Sequence, residues 1–291
     1  MQLYDGVAVS AKTGEGIDAL KRRMAEVLEP LAHEPPLAVD LIKPKDLVML
    51  VVPIDLAAPK GRLILPQVQV LREVLDAGAM ALTVKESEVT DMLRGLAAKP
   101  ALVITDSQAV REVAAAVPED IRLTTFSTLF ARYKGDFAAQ LAGAAAIDTL
   151  KDGDRVLIAE GCSHHVTCDD IGRVKIPNWM KKYTGRELKF EWTQGADFPD
   201  NLEDCALVVH CGGCMLNRAE VRRRINECAR QGVKVTNYGI VISKMQGVLE
   251  RVVKGIADAG ATGSVSATGS ISDTGSISDT GSISDTGEEG D

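Results

Sequence analysis

Short apolar runs alternate with helical patterns along most of the 291-residue chain, and this alternation constrains the fold more than any other feature. Residues 47–54, 80–85 and 101–105 are apolar enough for buried strands, and a segment with helical spacing follows each of them. The same order recurs between residues 121 and 256, and the last predicted helix there covers about 245–253. Because parallel strands need a long crossover, usually a helix, the pattern predicts βαβ units. We therefore expect an α/β protein with two consecutive parallel-sheet domains of the Rossmann-like, three-layer type.

Both ends of the chain depart from this pattern. Residues 7–12 predict a short strand that leads into a Ser-Ala-Lys loop, and apolar residues at helical spacing over 17–28 predict a helix. From about residue 258 the chain repeats a six-residue unit with too few apolar side chains to bury a core, so we expect a disordered tail. Six acidic residues in the last 31 residues account for most of the net charge of −8, and the rest of the chain has no basic field for nucleic acid.

Three of the six cysteines and three of the four histidines lie in two short stretches, 161–165 and 210–214. Each stretch directly follows an apolar run that predicts a buried strand, 155–159 in one case and 206–209 in the other. A helix is predicted after the second stretch, with Asn217 as its N-cap and Glu220 as the capping-box partner. The carboxyl ends of parallel strands meet at one edge of a sheet, where α/β proteins bind their ligands. We therefore expect the two stretches to lie together and to form one site.

The residue types in these stretches are compatible with three kinds of site. Cys211 and Cys214 form a CxxC pair, which occurs in iron–sulfur, zinc and dithiol redox sites. Gly161, Gly212 and Gly213 allow the backbone to approach a bound cofactor closely and to donate N–H groups to sulfur. From the residues alone, an iron–sulfur cluster, a structural zinc ion and a redox dithiol all remain open.

Cysteine usage and hydropathy indicate the surroundings in which the protein functions. A CxxC pair beside histidines in an α/β chain is typical of metal or redox chemistry in a reducing compartment rather than of disulfides. No apolar run approaches the roughly 18 residues that a membrane-spanning helix needs. We therefore expect a cytoplasmic protein that binds neither membranes nor nucleic acids.

The spacing of the two stretches resembles the signature of a known family. The sequence Cys162-x-His164, followed after 45 residues by His210-Cys211-x-x-Cys214, is similar to the CxH…HCxxC signature of the [FeFe]-hydrogenase maturation GTPase and scaffold HydF. The resemblance extends to three further segments, 58–69, 169–177 and 237–239. It covers roughly residues 5 to 256.

The resemblance implies a domain organisation. Residues 1–31 resemble only the last strand and helix of a GTPase domain, 38–117 a dimerisation domain and 119–256 an iron–sulfur cluster-binding domain, whereas the acidic tail 258–291 has no counterpart in the family. The chain contains no Gly-Lys dipeptide and no NKxD sequence, so it lacks both the phosphate loop and the guanine-recognition motif. We therefore expect neither GTP binding nor enzymatic activity from this chain.

The resemblance also implies a site and a function. Members of the family bind a [4Fe–4S] cluster through three cysteines, here Cys162, Cys211 and Cys214, with a variable and exchangeable fourth ligand. Their motif histidines match His164 and His210, which the resemblance therefore adds to the predicted metal site. They receive the diiron precursor of the hydrogenase active site from radical-SAM maturases and pass it to [FeFe]-hydrogenase. The resemblance thus predicts a homodimeric scaffold and carrier. A zinc-bearing structural or interaction protein and a CxxC oxidoreductase are the alternatives.

Overall fold

A computed structural model of the chain describes residues 6–28, 35–54, 61–161 and 170–257. These residues contain two four-stranded parallel sheets with helices packed on both faces, which confirms the predicted α/β fold class. No helix within these ranges is long and apolar enough to cross a membrane. The predicted disordered tail, 258–291, lies outside the described residues.

The two sheets have the same strand order, in which the first strand of each half lies between the second and the third. The first sheet has the order β2-β1-β3-β4 and consists of β1 (Leu47–Val51), β2 (Met80–Val84), β3 (Leu102–Thr105) and β4 (Leu123–Thr125). The second has the order β6-β5-β7-β8 and consists of β5 (Arg155–Ala159), β6 (Lys189–Thr193), β7 (Cys205–His210) and β8 (Lys234–Asn237). Every pairing is parallel.

Helices connect the strands in both halves. They are α1 (Ile17–Leu28), α2 (Leu65–Asp76), α3 (Val89–Gly95), α4 (Val110–Ala116), α5 (Phe126–Lys134), α6 (Phe137–Ala145), α7 (Ile176–Thr184), α8 (Arg218–Arg230), α9 (Tyr238–Met245) and α10 (Leu249–Ala257). The helix predicted over 17–28 is confirmed as α1, but the short strand predicted over 7–12 is wrong, because residues 7–10 are irregular and 11–13 form a turn.

Sequence patterns misplace the end of the second half. A single last helix over 245–253 is the sequence prediction, whereas the structure has α9 and α10 separated by a turn at residues 246–248. Gly247 in this turn has a φ of 72°, a left-handed conformation that favours glycine and ends a helix. The three-residue strand β4 is also absent from the sequence prediction, since it is too short to show a period.

Alternating side chains of each strand enter separate cores on the two faces of a sheet. In β1, Val48 and Leu50 pack with α2 and α5, whereas Met49 and Val51 face the core that contains α3 and α4. The second sheet is built in the same way, with β5 and β7 contributing alternate residues to two buried clusters. Strands that are buried on both faces are apolar throughout, which is why these runs are visible in the sequence.

The two halves exchange helices at their fourth strands. Helix α6 follows β4 in the chain but packs along β8, and α10 follows β8 but packs along β4. Both contacts are made by glycine: a Cβ at Gly143 would overlap the carbonyl oxygen of Val235, and a Cβ at Gly255 would overlap that of Leu123. The chain therefore crosses between the halves twice, and each half is completed by a helix from the other.

Side chains also join the two halves near the carboxyl ends of their strands. Asn237 at the end of β8 donates from Nδ2 to the carbonyl oxygen of Ser127 in α5, at 3.0 Å. Lys175 donates from Nζ to Oε1 of Gln108, at 2.8 Å. The loop that contains the CxxC pair lies at this edge of the second sheet, where residues of the first half can reach it.

Candidate metal centre

The two cysteine-containing stretches begin next to each other. Strand β7 ends at His210, and the N–H group of Cys211 donates to the carbonyl oxygen of Ala159, the last residue of β5, at 2.8 Å. Two residues beyond Ala159, the N–H group of Gly161 donates to Cys211 Sγ at 3.0 Å. Gly161 immediately precedes Cys162 in the sequence. Cys162 and His164 themselves lie outside the described residues.

Two backbone N–H groups face the sulfur atom of Cys211. One comes from Gly161, and the other comes from Gly213 at 3.4 Å. A side chain at Gly161 would come within 2.8 Å of Leu216, and Gly213 has a φ of 62°, so both positions favour glycine. Gly212 differs, because no described atom lies within 4 Å of the position that its Cβ would occupy.

The surroundings of the CxxC pair disfavour deprotonation of both thiols. Burial raises the pKa of Cys211, although the N–H groups of Gly213 and Gly161 act in the opposite direction. Burial also raises the pKa of Cys214, against which Lys134 and the N–H groups of Met215 and Cys214 act. Thiolates at these positions need additional positive charge, and a metal ion or iron–sulfur cluster supplies it. The sulfur donors and the N–H groups around them therefore fit such a cofactor.

His210 is buried, with 1% of its surface exposed, and both of its ring nitrogens have partners. Its Nδ1 lies 2.7 Å from the carbonyl oxygen of Cys211, and its Nε2 lies 3.5 Å from Nη1 of Arg224. Since the guanidinium can only donate, Nε2 accepts and Nδ1 carries the proton. Burial lowers the pKa of His210 to about 4. A ligand role for His210, which the sequence predicts, stays a prediction.

The helix after the site begins as the sequence predicts. The side chain of Asn217 accepts a hydrogen bond from the N–H group of Glu220 at 2.8 Å and caps α8. The carboxylate of Glu220 does not complete a capping box, because it binds Arg223 and the buried Arg224, which hold its pKa down to about 2. Arg224 also donates to the carbonyl oxygen of Gly195 at 2.6 Å, so it links the start of α8 to the loop after β6.

Lys134 in α5 is part of the site, although nothing in the sequence prediction points to it. Its side chain is buried, and Nζ donates to three carbonyl oxygens of the cysteine loop, those of Gly213, Cys214 and Leu216. Burial lowers the pKa of Lys134, whereas negative charge on Cys214 and Cys211 raises it. In sequence, a lysine at the end of a helix indicates only a favourable interaction with the helix dipole, so only the tertiary structure identifies this residue.

A second polar network that the sequence prediction missed lies beside Gly161. The carboxylate of Glu160 is buried and accepts hydrogen bonds from Arg173 at 3.1 Å and from Gln194 at 3.2 Å, while the hydroxyl of Tyr238 lies 3.4 Å away. Gly172 lies so close to Tyr238 that a Cβ would overlap the phenol oxygen. These contacts fix the backbone on both sides of the segment that contains Cys162.

The described residues hold only part of the predicted ligand set. Within the described ranges, no group of three or more His, Cys, Asp or Glu side chains is placed to bind a metal ion. The predicted ligands Cys162 and His164 fall outside those ranges, so the complete set stays a prediction. Cys205 and Cys228 lie outside the site and are buried in the core of the second half.

The fold and the site define an α/β protein with two parallel sheets, which carries a CxxC loop at the carboxyl edge of the second. Two family models match the chain: the hydrogen maturase F (HydF) dimerization domain over residues 37–135 and the tetramerization domain over residues 138–255. The chain belongs to the HydF family and has a role in hydrogenase maturation. It carries the two domains through which members of that family self-associate.

Solved structures add little to this assignment. An NtrC-family transcriptional regulator from Clostridium acetobutylicum is 11% identical, with 71% of this chain and 97% of that chain covered and a TM-score of 0.22. A putative LacI-family repressor from Corynebacterium glutamicum is 12% identical, with 74% and 91% covered and a TM-score of 0.23. A solute-binding protein from Burkholderia multivorans is 17% identical, with 74% and 92% covered and a TM-score of 0.23. Scores this low support no argument, and no curated protein matches the chain.

Proposed function

We propose that this chain is a scaffold that binds a [4Fe–4S] cluster through Cys162, Cys211 and Cys214 and carries the diiron precursor of the [FeFe]-hydrogenase active site to the hydrogenase. Radical-SAM maturases supply that precursor in this proposal. With three cysteines for four irons, the cluster supplies one iron at which a substrate can be held and released. The proposal extends the family's role in hydrogenase maturation to a particular cofactor and substrate.

One observation supports the proposal most strongly. The N–H groups of Gly161 and Gly213 both donate to Cys211 Sγ, and Gly161 is covalently joined to Cys162. Backbone N–H groups around cysteine sulfur are characteristic of iron–sulfur sites, where they stabilise the negative charge of the cluster. Both donors sit where glycine is favoured, and without a side chain their backbone can approach a sulfur atom closely.

A scaffold role fits the rest of the chain better than catalysis. The matched domains are self-association domains, and the chain has no Gly-Lys dipeptide from which a phosphate loop could be built. We therefore expect no saturable binding of Mg-GTP in isothermal titration. Binding in the micromolar range would contradict this part of the proposal.

Anaerobic reconstitution with iron and sulfide tests the cofactor. We expect about four iron and four sulfide per chain, as three-cysteine ligation of a cubane requires. Cys211→Ala should lose most of the cluster. Cys228→Ala, which removes a buried thiol of the same half outside the loop, is the matched control and should retain it.

Other outcomes would assign the site differently. One zinc ion per chain without sulfide would replace the cluster with a structural metal site, and a reversible two-electron oxidation of Cys211 and Cys214 without metal would indicate a dithiol. Delivery is tested separately by mixing the loaded protein with hydrogenase that lacks its diiron subcluster. Hydrogen production should appear with wild-type protein and should be absent with Cys211→Ala.

A further inference from the structure

Lys134 binds one short loop with every donor that it has. Nζ lies 2.9 Å from the carbonyl oxygen of Gly213, 3.2 Å from that of Cys214 and 2.7 Å from that of Leu216. An ammonium group has three N–H donors, so these three contacts use all of them. A buried lysine without polar partners would carry an uncompensated charge. The charge of Lys134 is instead compensated by three carbonyl oxygens of the cysteine loop.

The direction of the peptide groups gives these contacts a consequence for the backbone on both sides of Cys214. In a planar trans peptide the C=O and N–H groups point in opposite directions, and the described residues contain no cis peptide. Lys134 binds the oxygens of the 213–214 and 214–215 peptides. The N–H groups of these same two peptides belong to Cys214 and Met215, so they point away from the ammonium group. Holding the two oxygens thus fixes the orientation of the two peptide groups that flank the Cys214 side chain.

The origin of Lys134 in the chain adds a second observation. It is the last residue of α5, within the match to the dimerization domain, whereas the loop it binds lies within the match to the tetramerization domain. The ammonium also lies 5.3 Å from the ring centroid of Phe130 one turn earlier, a cation–π contact that fixes its direction. The helix that presents Lys134 is itself held by buried side chains of the first half.

We propose that Lys134 is a positioning residue of the cluster site, which fixes the two peptide groups that flank Cys214 and thereby sets the metal affinity and the reduction potential of the site. This proposal rests on the proposed function above for the identity of the cofactor. The first half of the molecule then contributes directly to a site whose ligands all come from the second half. Lys134 acts through the loop backbone and does not itself bind metal.

The first test compares Lys134→Met with Lys244→Met in the metal-free full chain. Lys244 is a matched control because it is a half-buried lysine of the second half that binds Asp148 rather than the loop. Co²⁺, followed by its thiolate charge-transfer absorption, should bind Lys134→Met about 10- to 100-fold more weakly than wild type, the usual effect of removing an outer partner of a metal ligand. Lys244→Met should bind Co²⁺ as wild type does.

Two further measurements separate positioning from general stability. Amide hydrogen exchange of residues 213–216 should accelerate at least ~10-fold in Lys134→Met, while strand amides keep their wild-type protection. After reconstitution, the cluster potential should become more negative in Lys134→Met, because the loss of a buried positive charge beside the site disfavours the reduced form. Lys134→Arg, which keeps the charge with a different donor geometry, should recover part of the potential shift.

The outcomes distinguish this proposal from the proposed function. Unchanged Co²⁺ affinity and unchanged loop exchange in folded Lys134→Met would overturn the role of Lys134. If Lys134→Met does not fold, Lys134→Gln, which keeps two N–H donors without the charge, provides the same comparison. A wild-type protein that binds Co²⁺ but assembles no iron–sulfur cluster would overturn the cofactor, and the exchange data would still decide the role of Lys134.

Discussion

The two halves of the molecule are built on the same sheet and differ in the loop after the third strand. Thr105 ends β3 opposite Val51, and His210 ends β7 opposite Ala159, so Thr105 and His210 occupy equivalent positions. After Thr105, helical backbone begins two residues later. After His210, seven residues precede α8, and these include both cysteines and both glycines of the loop.

This difference shows that the sheet provides the position and the loop provides the chemistry. In the first half the chain turns at once into a helix, and Asp106 accepts a hydrogen bond from Gln67 at 2.7 Å. In the second half the longer loop turns its N–H groups towards sulfur and its carbonyl groups towards Lys134. A shared topology therefore does not imply a shared function, because function depends on the residues grafted onto the strand ends.

The exchanged helices give the largest expected effects. Gly143→Ala and Gly255→Ala should each lower the free energy of unfolding by about 3 kcal/mol, because the new methyl group meets a backbone carbonyl that cannot move aside. Urea unfolding of both variants measures this. If the halves are equivalent at this contact, the two losses should agree within about 1 kcal/mol.

Gly95→Ala is the control for these variants. Gly95 ends α3, and no described atom lies within 4 Å of its Cβ position. The substitution should leave stability unchanged or raise it by up to ~1 kcal/mol, the helix propensity of alanine over glycine. A lower free energy of unfolding in only one of the Gly143→Ala and Gly255→Ala variants would show that the two exchanged helices do not contribute equally to stability.

The second-largest expected effect is a pH dependence of stability that His210 gives to the second half. His210 has a folded pKa of about 4, below its unfolded value of about 6.5, so the unfolded chain binds the proton more tightly and stability falls as the pH falls. The loss should reach about 2 kcal/mol at pH 5 and roughly 3 kcal/mol at pH 4. Unfolding of metal-free protein between pH 7 and pH 5 measures it.

His210→Gln should remove this loss, because the side chain no longer titrates in that window. Glu220 does not contribute to this pH dependence. Its pKa is about 2 in the folded protein and near 4.5 in the unfolded chain, so its effect on stability appears only below about pH 4.5. Thr105→Ala, at the equivalent position of the first half, should keep the wild-type slope. A wild-type slope in His210→Gln would show that another group carries the pH dependence.

The helix caps give the smallest expected effect. Thr125 caps α5 through Thr128, and Asn217 caps α8 through Glu220. Replacing either by alanine should cost about 1 kcal/mol in thermal or urea unfolding, the usual contribution of a cap. Only Asn217→Ala should also accelerate hydrogen exchange in the cysteine loop, because that loop leads into its helix. Equal exchange in both variants would contradict this asymmetry.

Local chemistry made part of the structure visible in the sequence. The run 155–159 matches β5 residue for residue, since the four buried residues after Arg155 are all apolar, as a strand buried on both faces requires. Asn217 is the N-cap of α8 because its side chain satisfies an amide only three residues away. The cysteine stretches could be assigned to strand ends because each directly follows an apolar run. The carboxyl ends of parallel strands lie at one edge of the sheet, so the two stretches could also be placed together.

Long-range contacts decided the rest. The exchange of α6 and α10 depends on the fit of Gly143 to Val235 and of Gly255 to Leu123, pairs that lie far apart in the chain, and no local pattern encodes them. Lys134 is an ordinary helix-terminal lysine in the sequence, and it becomes part of the candidate metal centre only because the folded chain brings it to the loop at 213–216. The sequence determined which residues are candidate metal ligands, whereas the tertiary structure determined which buried charge contacts their loop, because burial and partner choice are properties of the packed molecule.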